Sequence, residues 1–105
     1  MEKKQAYHWR LMEQENPELY TKVQAWRNEL SDNDVIPPKY KQLIMLAMAC
    51  ALRYERGIRT HGRMALEAGA TREELYATVA QSMTIGGIPA YRTGCDVLEE
   101  IFGEA

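Results

Sequence analysis

Apolar residues recur at helical intervals along most of the chain. Leu19, Val23, Trp26 and Leu30 follow one another at steps of four, three and four, the spacing that lays side chains along one face of an α-helix. Asn16-Pro17-Glu18 is the start signal for this helix, with an N-cap asparagine, proline at the first helical position and an acid in the first turn. A shorter helix over residues 5–15 precedes it, and the polar turn Ser31-Asp32-Asn33-Asp34 follows. The tryptophan and leucines read as packing residues that must rest on the core or on another subunit. Ile36-Pro37-Pro38 restarts the chain as a helix, and no breaker intervenes from Lys39 to about Arg53. Because Leu43 to Leu52 (LIMLAMACAL) is apolar at every position, this helix is expected to be central and enclosed on all sides.

Arg53 to Arg59 is polar and contains Gly57, which predicts a tight connection there. The next helix runs from Gly57 to about Ala68 and stops at Gly69, a suitable residue just past a helix end. It places Ile58, His61, Met64, Ala65 and Ala68 on one stripe. Thr71-Arg72-Glu73-Glu74 is a capping box that opens a helix through Leu75, Val79 and Met83. That helix ends at Gly86-Gly87, and Pro89 starts the last one, to about Phe102. No stretch alternates with a period of two, so the fold class is all-α, a small bundle of about five to six helices.

With 105 residues and no composition break, the chain is expected to form one domain, 1–105, with a helical arm over 1–36 ahead of a core at 37–105. Enclosing Leu43 to Leu52 takes more helices than a lone chain of this length easily supplies, which predicts a homo-oligomer. Thirteen basic residues against 15 acidic ones offer no electrostatic case for nucleic acid or an anionic membrane. The ten-residue apolar run is about half of a membrane span, and the lysines near Met1 are not followed by the apolar stretch of a secretory leader. The expected location is the cytoplasm, where Cys50 and Cys95 are free thiols, Cys50 as a small buried hydrophobe. Their separation fits no metal spacing, His8 and His61 are far apart, and Met45, Met48, Met64 and Met83 read as core. No cofactor or metal is expected.

The one sharp chemical feature is His61, an ionisable imidazole in the middle of an apolar stripe. It is either a core histidine bonded to a neighbour or a group whose proton affinity the fold tunes. Cys50 lies eleven residues before it, about 16 Å along a continuous helix, so only a chain reversal near Gly57 would bring the two together. Tyr54 reads as an amphipathic lid at a helix end or as a phenol donor. Gly86 to Ala90 reads as a helix-to-helix turn or as backbone that approaches a pocket.

The segment HGRMALEAGATREELYATVAQSMTIGGIPAY carries His-x-x-x-Ala-Leu-x-x-Gly-Ala-Thr-x-Glu-Glu-Leu followed by Gly-Gly-x-Pro-Ala. With the preceding Pro-x-x-Tyr-Lys-x-Leu stretch, roughly residues 37 to 100, it resembles the carboxymuconolactone decarboxylase family, whose branches include 4-carboxymuconolactone decarboxylase and alkylhydroperoxidase D. The resemblance implies an all-helical, alkylhydroperoxidase D-like fold assembled as homotrimers or homohexamers. The peroxidase branch uses a relay of glutamate, two cysteines and histidine. With His61 aligned, the cysteine positions hold Tyr54 and Gly57 and the glutamate position holds Gln42. Neither Tyr54 nor Gly57 can attack a peroxide or resolve a sulfenic acid, so dithiol peroxidase activity is not expected.

The decarboxylase branch, which also lacks the cysteine pair, is the nearer one. It implies a cofactor-independent lyase acting on a small carboxylated molecule, with His61 as the catalytic acid or base. Arg59 and Arg63 would then hold carboxylates, with Tyr54, Gln42 and Gly87 contributing to substrate binding. The competing reading of Arg59 and Arg63 is a solvated outer face paired with Glu55 and Glu67. The competing reading of the whole chain is a non-catalytic helical oligomer with a degenerate site.

Overall fold

A computed structural model describes residues 5–103. The leading residues over which the absence of a secretory leader was read lie partly outside them. Among the described residues the chain is all-α, with helices α1 (Tyr7–Glu15), α2 (Pro17–Asp32), α3 (Pro38–Ala51), α4 (Glu55–Glu67) and α5 (Arg72–Gly103). None of them is long and apolar enough to cross a membrane. The chain divides into two units, Met1–Val35 and Ile36–Ala105.

The first unit is the hairpin of α1 and α2. Asn16 joins them: its amide donates to the Met12 carbonyl at 2.8 Å, and its Oδ1 accepts the Leu19 amide at 3.2 Å, the N-cap role expected of it. The Arg27 guanidinium lies 4.3 Å from the centre of the Trp9 ring, a cation stacked on an aromatic face. Two helices alone cannot enclose the α2 stripe, and Leu19, Trp26 and Leu30 stay exposed.

In the second unit α3, α4 and α5 pack against one another around Leu46, Cys50, Ile58, Leu75, Val79 and Val97, all at most 1% exposed. The connection between α3 and α4 differs from the expected one. It is only three residues, Leu52 to Tyr54, and Gly57 lies inside the first turn of α4. Arg53 takes the left-handed conformation (φ 56°) instead. Its amide donates to the Cys50 carbonyl at 2.9 Å and the Tyr54 amide to the Ala49 carbonyl at 2.9 Å, the paired bonds that close a helix C-terminus. Gly57 serves close packing: a Cβ there would fall 2.6 Å from Tyr54 Cδ2.

The other expected boundaries stand. Gly69 (φ 100°) follows α4, its amide bonded to the Leu66 carbonyl and that of Ala70 to the Ala65 carbonyl. Thr71 and Glu74 exchange both capping-box bonds, at 2.9 and 3.0 Å. Gly87 (φ 75°, ψ −172°) breaks α5 ahead of Pro89. Within the described residues of the second unit, helix α3 is covered on one side only. Leu46, Ala49 and Cys50 are buried, whereas Ile44, Met48 and Leu52 lie exposed in an i, i+4 row. Met48 and Met64, read as core, are exposed.

Candidate functional site

His61 lies on the seam between α3 and α4. Its Nδ1 is 2.8 Å from Gln42 Oε1, so the structure brings together two candidate residues nineteen positions apart. The ring is half-buried, and burial lowers its proton affinity below the ordinary value of 6.5, because an imidazolium loses hydration there. Its stripe is only partly the predicted one. Ile58 and Ala65 are fully buried, but Met64 and Ala68 are exposed, and the buried arc of α4 swings instead towards Gly62, where a Cβ would meet Ile101 Cδ1 at 2.7 Å.

Tyr54 belongs to the same seam. Its ring lies over Gly57, which is one helical turn before His61 on the same face. The residue as a whole is more than half exposed, as a lid at a helix end would be. The Tyr54 ring occupies the space that a larger side chain at position 57 would need.

Arg59 and Arg63 do not join His61. Each is two residues away from it along α4, a rotation of about 200° around the helix axis, so both point away from the seam. Arg59 Nε donates to Glu100 Oε2 at 2.8 Å and its Nη2 to Glu100 Oε1 at 3.1 Å. This fork, with the Arg63 charge nearby, holds the Glu100 carboxyl below its usual range. The two-residue step was readable from the sequence; Glu100 as the partner was not, since nothing local marks it. Gly87 is also apart from His61. Next to it, a Cβ on Gly86 would lie 3.0 Å from Ala51 Cα, at the far end of α3 from Gln42. Nine residues of helix separate Ala51 from Gln42, about 14 Å. Gly86 therefore serves a close helix crossing, and Gly87 the break in α5.

A cavity of about 270 Å³ opens at that far end, lined by Ala47, Met48 and Ala51 of α3 and Ser82 and Ile85 of α5, among others. Cys50 faces the same side: a Cβ on Gly94 would sit 2.9 Å from its Sγ. The chain does reverse between α3 and α4, yet the thiol turns to α5 and not to His61. Burial pushes it up to about 11, so it is a protonated core residue at neutral pH. A feature with no sequence signal is the bond between the Tyr76 and Tyr91 hydroxyls, 2.8 Å apart. With a hydrogen bond to Cys95, it holds the Tyr91 phenol well above its usual value.

Among the described residues the chain is thus all-α, with a half-buried imidazole held by an amide between two helices. The model of the carboxymuconolactone decarboxylase family matches residues 17–100, and the chain belongs to that family. The match extends beyond the core segment to take in α2. The uncharacterized protein MJ1511 of Methanocaldococcus jannaschii is similar to this chain, 24% identical over 88 residues that cover 84% of this chain and 82% of that protein.

Proposed function

We propose that the protein carries out cofactor-independent proton transfer on a small carboxylated molecule, in the manner of the decarboxylase branch, with His61 as the group that exchanges the proton. The observation that carries this reading is the 2.8 Å contact between His61 Nδ1 and Gln42 Oε1. It orients a half-buried imidazole while leaving Nε2 without a partner among the described residues. A histidine of lowered proton affinity is neutral near pH 7 and ready to accept a proton. Tyr54 supplies a phenol on the same seam. Carboxylate binding by Arg59 or Arg63 draws no support from their placement opposite His61, and the pairing of Arg59 with Glu100 favours a structural role. Peroxide reduction is a poorer reading, since Tyr54 and Gly57 stand at the cysteine positions. The reading keeps the protein in the cytoplasm, where Cys50 and Cys95, both free, persist as thiols.

The test is to assay purified wild type and His61→Ala with small dicarboxylates and lactones, following carbon dioxide release and thermal shift. Turnover that disappears in His61→Ala, with the melting temperature nearly unchanged, supports the proposal. Absence of turnover and of stabilising ligands across the panel sinks it. A second reading, a non-catalytic helical oligomer, is favoured by the exposed row Ile44, Met48 and Leu52. It predicts that His61→Ala changes neither ligand response nor assembly.

A further inference from the structure

We infer that Gln42 is the positioning residue of His61, its side-chain carbonyl holding the imidazole in the Nδ1–H tautomer so that Nε2 is the atom that accepts a proton. Its use in catalysis rests on the proposed proton-transfer reading. The tautomer itself is a property of the resting protein and stands or falls separately.

Gln42 Oε1 carries no hydrogen, so at 2.8 Å the ring nitrogen must be the donor. A neutral imidazole has one N–H, and if Nδ1 keeps it the lone pair is on Nε2. The two residues come from different helices, α3 and α4, so the bond sets the ring's orientation across the seam as well as its tautomer. On α4 the imidazole is flanked by Gly57, one turn before and covered by the Tyr54 ring, and by Ala65, one turn after. An amide does this without charge. A carboxylate in its place would make the same bond but would hold the proton on the ring.

Among the described residues no charged group contributes to the shift at the ring, which burial alone causes. On α3, Lys39 is taken by Glu74 of α5 at 3.2 Å. On α4, Arg59 and Arg63 face the Glu100 side. When the substrate's carboxyl O–H gives its proton to Nε2, the C–C bond to that carboxyl breaks, carbon dioxide leaves, and the bonding electron pair stays on the carbon. The resulting imidazolium still donates Nδ1–H to Gln42, and Nε2 returns its proton to the product, so the protein ends unchanged.

The experiment is long-range proton–nitrogen correlation spectroscopy on ¹⁵N-labelled full-length protein at pH 7.5, with no ligand required. The expected result is a His61 with Nδ1 protonated and Nε2 bare. Gln42→Leu should relax it to a mixture of tautomers. Gln42→Glu should raise the His61 titration midpoint by about one pH unit or more. A wild-type ring protonated on Nε2, an unchanged tautomer in Gln42→Leu, or an unmoved midpoint in folded Gln42→Glu would each overturn the inference. If the tautomer is found but no substrate is turned over, the positioning stands and the proposed reaction fails.

Discussion

At the scale of single residues, the half-burial of His61 couples folding to pH. The group's proton affinity is lower in the folded chain than its ordinary value of 6.5, so the unfolded chain binds more protons in that region. Stability therefore rises with pH through the window from the folded midpoint up to about 6.5. Above the window both states are neutral, and the histidine contributes nothing further. Below it both are protonated, and the cost of burying the cation is fully present. Urea unfolding of wild type and His61→Asn between pH 5 and 7.5 should show a slope in the first that is reduced in the second. Equal slopes would mean that the imidazole is as well solvated in the fold as outside it. His61 was singled out from the sequence because a titratable ring fell on an apolar stripe, and its seam location follows from that stripe. Its bond to Gln42 depends on how α3 and α4 dock.

The helices show where residue types trade local strain against packing. Arg53 occupies the left-handed position that closes α3, where a side chain costs on the order of 1 kcal/mol that glycine avoids. Because glycine also gains freedom in the unfolded chain, Arg53→Gly should stabilise the protein by only about 0.5 kcal/mol in urea unfolding. A clear loss of stability would show that the arginine side chain makes a contribution larger than its backbone strain. Gly86→Ala should act in the opposite direction, by about 1–3 kcal/mol. Its added methyl would meet Ala90 Cβ at 2.6 Å and Ala51 Cα at 3.0 Å, atoms with no flexible end to move aside. If the variant matches wild type, the crossing of α3 and α5 is looser than these distances imply. The connection expected over Arg53 to Arg59 is shorter and lies at its start: Gly57 was needed inside α4 beneath the Tyr54 ring, and Arg53 took the left-handed position.

For the molecule as a whole, the unsettled surface is apolar. Met48 is 53% exposed, Leu52 77% and Ile85 88%, and Met48 and Ile85 border the cavity between α3 and α5. Exposed apolar side chains gathered in this way are what a partner surface would cover. The self-association proposed for this chain would enclose α3 between copies. Sedimentation of wild type at micromolar concentration should then give an oligomer, and Met48→Lys with Ile85→Lys should shift it towards monomer by placing charges in that surface. A wild type that sediments as a monomer would leave the apolar row without this explanation.

The helices, their caps and the family were legible in the sequence because caps, breaks and apolar periodicity act between residues a few positions apart. Asn16, Gly69, the Thr71–Glu74 box and Gly87 each do locally what their residue type requires. Tertiary structure alone decided which side chains meet across helices. It joined His61 to Gln42 and Arg59 to Glu100 and turned Cys50 towards α5, because those pairings depend on the relative rotation and depth of packed helices, which no short stretch of chain encodes.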